Sequence, residues 1–121
     1  ECEKCIEACP TKAIEEPFVV NANKCLAYHT LENRDKELPK NIINKMGNWI
    51  AGCDICQEVC PWNENNIPNT SEPDLQPSEW ILNINRKDAL SWSDSEWKEN
   101  LNNSALKRIK PWMWRRNLNS I

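Results

Sequence analysis

The residues best suited to chemistry in this chain are its seven cysteines, six of which fall in two tight groups. The groups read ECEKCIEACP and GCDICQEVCPW, and both contain the spacing C-x2-C-x3-C-P. Thiolates at this spacing are typical ligands of 4Fe-4S clusters, because the bacterial run C-x2-C-x2-C-x3-C-P gives three ligands to one cluster and its fourth cysteine to another. The duplicated motif therefore predicts two clusters with exchanged fourth ligands.

The spacing also assigns ligands, although each copy lacks a leading cysteine at the usual place. For the second copy Cys25 can serve, because closing a longer loop costs little extra free energy. Cluster two would be held by Cys9, Cys25, Cys53 and Cys56, and cluster one by Cys2, Cys5 and Cys60. The fourth ligand of cluster one is expected three residues before Cys2, upstream of Glu1. We therefore expect the sequence to be a fragment of a longer protein with an eighth cysteine.

Two other uses of the cysteines stay open. Structural zinc sites also use C-x2-C pairs, but they usually join two such pairs and have no use for the x3-C-P extension. Disulfides are disfavoured by the odd number of cysteines, their grouping and the presence of only two glycines. Grouped cysteines of this kind indicate a metal site in a reducing compartment.

The charges are distributed unevenly along the chain. Residues 1–100 hold 18 acidic and 10 basic side chains, a net charge of −8, whereas residues 101–121 hold five basic side chains and no acidic one. The C-terminal segment is therefore the part suited to an anionic partner. No apolar run is long enough to span a membrane and no signal-peptide pattern opens the sequence, so we expect no membrane partner and a cytoplasmic location.

The elements that must position the cysteines read as short helices between loops. We expect a mostly α fold, α+β with minimal strand, in which residues 1–63 form a two-cluster ferredoxin-like module. Residues 64–78, rich in proline and asparagine, predict a linker, and residues 79–121 a short helical C-terminal extension. Helices are predicted after Pro39 and after Ser93, and Ser93 with Glu96 fits a capping box. Phe18–Val20 predicts a short strand.

Four stretches together resemble one family, the epoxyqueuosine reductases of queuosine biosynthesis in bacteria. They are CIEACPTKAI, NANKCLAYHTLENR, GNWIAGCDICQEVCPWN and, near the C-terminus, SALKRIKPWMWRRNL. The resemblance covers most of the chain and is vaguest over residues 64–90. It is more specific than the cysteine spacing alone.

The resemblance implies a function. In that family an N-terminal domain binds cobalamin and supplies a catalytic acid, while two 4Fe-4S clusters pass electrons to the corrin. The epoxide oxygen of epoxyqueuosine in a tRNA anticodon loop is then removed. By this resemblance the chain would be the electron-delivery part without the catalytic domain. We expect tRNA and an unidentified reductant as partners, and a monomer.

The resemblance also suggests residues for both ligands. It places Glu32, Thr30 and Asp54 beside the corrin, whose amide side arms suit carboxylates and hydroxyls; exposed, solvated acids are the alternative. For tRNA it favours the basic side chains interleaved with Trp112 and Trp114, since phosphates and unstacked bases suit cations and aromatic rings. These side chains are Lys107, Arg108, Arg115 and Arg116. The alternative is a solvated helix whose tryptophans pack on the cysteine module.

Two other classes of protein stay open from the residues. A reductive dehalogenase also combines cobalamin with two clusters, but it is typically exported and would have no use for the basic tail. A ferredoxin-like electron carrier or oxidoreductase subunit needs only the cysteine spacing, and not the AYHTLEN segment. Binding of cobalamin and tRNA would separate the three.

Overall fold

The computed structural model describes residues 2–64 and 69–121. Residues 65–68 of the predicted linker lie outside the described residues. The helices of the described part are α1 (Lys4–Ala8), α2 (Leu26–Leu31), α3 (Lys40–Met46), α4 (Ile55–Glu58), α5 (Pro61–Glu64), α6 (Glu79–Asn83), α7 (Arg86–Ser91), α8 (Asp94–Leu101) and α9 (Pro111–Asn119). Short 3-10 turns cover Ala22–Lys24, Pro73–Leu75 and Ala105–Arg108. The expectation of a mostly helical fold is confirmed.

A small antiparallel sheet follows α1. It pairs β1 (Ile14–Glu16) with β2 (Val19–Val20), and Ile14 faces Val20 across the pair. Phe18 turns the chain between them with a positive φ of 68°, a conformation that few non-glycine residues adopt. The predicted strand at Phe18–Val20 therefore forms at its last two residues.

Local sequence signals set several helix boundaries. Pro39 is the N-cap of α3, and Gly47, with φ 53°, ends it. Ser93 and Glu96 form the predicted capping box at the start of α8, each side chain hydrogen-bonded to the other residue's backbone amide. Pro111 is the first residue of α9, where a missing amide hydrogen costs nothing.

Two apolar clusters form the core. The smaller one lies between α2 and α3 and consists of Leu26, Leu38, Ile42 and Met46. The larger one gathers α7, α8 and α9 and consists of Ala89, Trp97, Leu101, Ile109, Met113, Trp114 and Leu118. At its centre the Trp97 and Trp114 rings lie 4.4 Å apart between centroids. Burying one large apolar side chain stabilises the fold by about 2 kcal/mol, so the larger cluster contributes more of the hydrophobic stabilisation than the smaller one.

Helix α9 ties the two halves of the chain together. The Asn117 side-chain amide donates to the carbonyls of Thr30, at 2.8 Å, and Ile50, at 2.9 Å. These bonds fasten the C-terminal helix to α2 and to the approach to the second cysteine group. Within residues 2–64 and 69–121, no helix has the length and apolarity needed to cross a membrane.

Candidate metal centre

The two cysteine groups meet because α1 packs against α4. Cys5 lies within α1 and Cys56 within α4, while Cys25 is the N-cap of α2. The chain leaves α1 at Cys9 in an extended conformation, with φ −64° and ψ 113°. This change of direction separates Cys9 from the helix that carries Cys5, as the exchange of ligands requires.

Three cysteine thiols lie within electrostatic reach of a fourth, Cys53. Burial raises the pKa of Cys53, and negative charge on Cys25, Cys56 and Cys9 raises it further, against a hydrogen bond from the Ile55 amide. Cys9 thus lies beside the second cysteine group. A bound metal centre would remove this penalty, because a coordinating thiol is deprotonated by the metal's positive charge.

The sulfur of Cys9 lies in a ring of hydrogen-bond donors. The Ala13 amide donates to Sγ at 3.2 Å, and the Thr11 hydroxyl lies 3.6 Å from it. Burial alone raises the pKa of Cys9, but these bonds, with others from the Ile14 and Thr11 amides, bring it below the ordinary value. The fold therefore stabilises a thiolate at this position, the form that ligates iron.

Two of the other three cysteines, Cys2 and Cys60, lie near Lys4 on α1. The Glu64 carboxylate accepts from Lys4 Nζ at 3.0 Å and is the main reason that the pKa of Lys4 is raised. Cys2 and Cys60 raise it further, so both lie near this ammonium group. Cys2 and Cys60 are thus near each other although 58 positions separate them in the sequence.

The described residues contain no group of three His, Cys, Asp or Glu side chains tight enough to share one metal ion. A 4Fe-4S cluster spreads its thiolates over four iron atoms, so it does not need such a tight group. The donor set itself fits clusters of this type, since three thiols lie near that of Cys53 and the thiols of Cys2 and Cys60 lie near Lys4.

A glycine and a threonine set the position of the second cysteine group. The Gly52 amide donates to the Thr30 hydroxyl at 3.0 Å, and Gly52 has a φ of 79°. A Cβ at this position would meet open space, so there is room for a side chain. The positive φ would nevertheless strain any residue other than glycine. The glycine before Cys53 is therefore required by the turn rather than by close contact.

A family model described as a 4Fe-4S double cluster binding domain matches residues 1–63. The chain belongs to this family. All seven cysteines of this double-cluster protein fall inside the matched residues.

Two relatives of this chain share one name. The epoxyqueuosine reductase of Prochlorococcus marinus (strain NATL2A) is 80% identical over 100% of this chain, and that of Synechococcus sp. (strain CC9605) is 58% identical over 90% of it. The chain spans 39% and 34% of the length of these two relatives. The predicted resemblance to this group is confirmed.

Solved structures agree with the fold. A crystal structure of epoxyqueuosine reductase with an epoxyqueuosine-modified tRNA-Tyr stem loop superposes with a TM-score of 0.86 at 34% sequence identity. The match covers 99% of this chain and 31% of that one. The described arrangement of helices is therefore that of the corresponding part of a known enzyme structure.

The residues assigned to cobalamin fall in three different environments. Thr30 is fully buried, with its hydroxyl donating to the Leu26 carbonyl and accepting from Gly52, so its assignment as a cobalamin contact is corrected to an internal bridge. Glu32 forms an ion pair at 2.9 Å with Arg108. Asp54 is exposed between two cysteines of the second group and stays a predicted contact.

The residues assigned to tRNA are also divided. Arg116 is buried, and its guanidinium donates to three carbonyls, so it is not available to a phosphate; this assignment is wrong because the charge is already satisfied inside the protein. The three carbonyls belong to His29, at 3.0 Å, Asn33, at 2.8 Å, and Asp35, at 2.6 Å. Arg115 pairs with Asp94 at 2.6 Å. Arg108 and Lys107 are exposed and keep their predicted role as a proposal.

The interpretation of the tryptophans is similarly mixed. Trp114 is buried in the larger core cluster, which is built mainly from α7, α8 and α9, whereas Trp112 is 41% exposed. Trp62, two residues after Cys60, is 90% exposed. Sequence reasoning also missed the donors around Cys9, although a threonine two residues after a ligating cysteine signals a side-chain hydrogen bond back to sulfur.

Proposed function

We propose that this chain is the electron-transfer part of an epoxyqueuosine reductase, the enzyme that converts epoxyqueuosine to queuosine in tRNA. Residues 1–63 form its two-cluster ferredoxin-like module, residues 64–78 a linker and residues 79–121 a basic helical segment. An unidentified reductant delivers electrons to this module in the cytoplasm, and the protein acts as a monomer.

One observation supports the electron-transfer assignment: Cys9 lies within electrostatic reach of Cys53, although 44 positions separate the two in the sequence. With Cys25 and Cys56 it completes four thiols, the number that one 4Fe-4S cluster needs. Cys2, Cys5 and Cys60 are then left to hold the other cluster. The names of the curated relatives support the choice of reductase over a plain electron carrier.

The proposed reaction has a simple electron balance. Removing the epoxide oxygen as water consumes two electrons and two protons. When bound, two 4Fe-4S clusters supply electrons one at a time, and cobalamin supplies the centre that reacts with the epoxide. Two one-electron sites in one module therefore match the two-electron reduction.

The residues of this chain hold and tune those groups. The Ala13 amide and the Thr11 hydroxyl stabilise the Cys9 thiolate, and hydrogen bonds to ligating sulfurs are one of the factors that set cluster potential. Asp54 is exposed and Glu32, although paired with Arg108, is partly exposed, which supports contacts of these carboxylates with amide groups of cobalamin. Thr30 keeps α2 and the Gly52 turn together from inside.

The tRNA assignment rests on charge and on a structural neighbour. That neighbour was solved with an epoxyqueuosine-modified tRNA stem loop. Lys107 and Arg108 are exposed, and they belong to residues 101–121, a segment that contains no acidic residue. We propose that this segment approaches the RNA backbone.

The test uses the full-length protein purified without oxygen. We expect about eight iron atoms per chain and, with cobalamin and a chemical reductant, conversion of epoxyqueuosine to queuosine in tRNA, measured by mass spectrometry of digested nucleosides. Zinc in place of iron would overturn the cluster assignment. Eight iron atoms without conversion or tRNA binding would instead favour the electron carrier, and cobalamin binding without tRNA binding the dehalogenase.

A further inference from the structure

A cavity of about 360 Å³ lies between the C-terminal end of α8 and the start of α9. Lysines from three separate elements line it: Lys98 on α8, Lys107 on the 3-10 turn and Lys110 immediately before α9. Asn102 adds an amide group. We call this site the lysine pocket, and none of the four residues belongs to the metal centre.

The positive charge of the lysine pocket is not balanced from within. No aspartate or glutamate is among the side chains that line it. In residues 2–64 and 69–121 the ion pairs involve Lys4, Lys24, Arg108 and Arg115, and none involves a lysine of the pocket. The three exposed ammonium groups around one cavity therefore give it a positive potential that favours an anion.

The walls of the pocket are rigid and apolar. Trp97, Leu101 and Ile109 belong to the larger core cluster and are at most 3% exposed, so the wall behind the lysines is fixed by core packing. The C-terminal carbonyls of α8 lie nearby and oppose an anion, but a helix end carries only about half a unit charge. Three full positive charges outweigh it.

We propose that the lysine pocket binds a backbone phosphate of an RNA strand. A nucleotide suits both parts of the site, since the phosphate pairs with the lysines while the ribose contacts the apolar wall. Arg108, which follows Lys107 directly and pairs with Glu32 at the surface, adds a further cation beside the pocket. This inference rests on the proposed function and names the part of the chain that contacts the tRNA.

The test compares two double variants of the full-length, cluster-loaded protein. K98Q/K110Q removes two charges from the pocket, and K45Q/K87Q removes two exposed lysines elsewhere as a matched control. Binding of an unmodified anticodon stem loop is measured by fluorescence anisotropy at several salt concentrations. We expect K98Q/K110Q to bind about tenfold more weakly at 0.1 M salt and to lower the slope of log K against log salt by about 1.4, with little change for the control.

Each outcome decides the question. Equal affinities for K98Q/K110Q and K45Q/K87Q, with wild-type binding intact, would overturn the lysine pocket and leave the proposed function standing. If the wild-type protein does not bind the stem loop, both are overturned. Pocket-dependent binding of inorganic phosphate without any effect on RNA would make the site one for a free anion and overturn the RNA assignment. Unchanged visible absorption and circular dichroism show that the variants are folded.

Discussion

The Gly52 amide donates a hydrogen bond to the hydroxyl of Thr30 at 3.0 Å, and this single bond connects the turn before Cys53 to the helix that follows Cys25. Both cysteines belong to the four-thiol group of the proposed cluster two. Hydrogen bonds in the shell behind metal ligands orient those ligands and are costly to remove. Thr30 therefore matters to the metal centre without contacting it.

Replacing Thr30 by valine keeps the shape of the side chain and removes the hydroxyl. We expect the Thr30→Val variant to lose about 1–2 kcal/mol of unfolding free energy, because the Gly52 amide loses its partner. Denaturant unfolding of the cluster-loaded protein measures the loss. Thr30→Ser keeps the hydroxyl and is the control that should preserve the bond. A valine variant as stable as wild type would show that the bond contributes nothing.

The exchange of ligands between the cysteine groups can be tested by single substitutions. Cys9→Ser should perturb the same cluster as Cys53→Ser, whereas Cys60→Ser should perturb the other. The electron paramagnetic resonance spectrum of the reduced protein distinguishes the two clusters, and iron content should fall from about eight to about four atoms per chain in each variant. Matching spectra for Cys9→Ser and Cys60→Ser, different from that of Cys53→Ser, would contradict the exchange.

Two arginines of the basic segment, Arg108 and Arg116, should behave in different ways. Arg116→Met leaves the carbonyls of His29, Asn33 and Asp35 without their charged donor, so we expect a loss of about 3 kcal/mol of unfolding free energy. Arg108→Met removes an exposed ion pair with Glu32 and should cost less than about 1 kcal/mol. Chemical denaturation measures both.

For RNA binding we expect the opposite order, with the larger effect at Arg108. Arg108→Met should weaken binding of the stem loop and reduce its salt dependence, while Arg116→Met should bind normally wherever it remains folded. A destabilised Arg108 variant with unchanged RNA binding would assign that residue to structure alone.

The capping box of α8 predicts a pH dependence. The hydrogen bond from the Ser93 hydroxyl, with that from the Ser93 amide, holds the pKa of the Glu96 carboxyl below its usual value. A carboxyl group whose pKa is lower in the folded state stabilises the fold above its unfolded pKa, about 4.3. This contribution is lost as the pH falls through the lower pKa of the folded state. The difference in unfolding free energy between wild type and Ser93→Ala should therefore be larger at pH 6 than at pH 3. A difference that grew on acidification would contradict this reasoning.

Features that depend on neighbours in sequence were predictable. Ser93 and Glu96 cap α8 as expected, and Pro111 opens α9, because both effects operate within one helical turn. The C-x2-C-x3-C-P spacing likewise assigns Cys9 to the second group; its electrostatic effect on Cys53 agrees with that assignment, which stays a prediction.

Features that depend on distant packing were not predictable. The basic tail read as one cationic surface, yet Ile109 and Lys110 are extended and separate the 3-10 turn from α9, so Arg108 and Arg116 face different surroundings. The inward position of Arg116 needs carbonyls that lie more than 80 residues earlier in the chain. Nothing in the local sequence of α9 signals those partners.

The bonds from Asn117 to the carbonyls of Thr30 and Ile50 have a consequence for biosynthesis. Asn117 is added 57 residues after Cys60, the seventh cysteine, which at synthesis rates of about 5–20 residues per second is a delay of several seconds on the ribosome. During that interval all seven thiols have been synthesised while the helix that fastens α2 has not. We therefore expect the cysteine module to remain incompletely folded during this interval, with its thiols accessible to oxidants and to other metal ions before iron is bound.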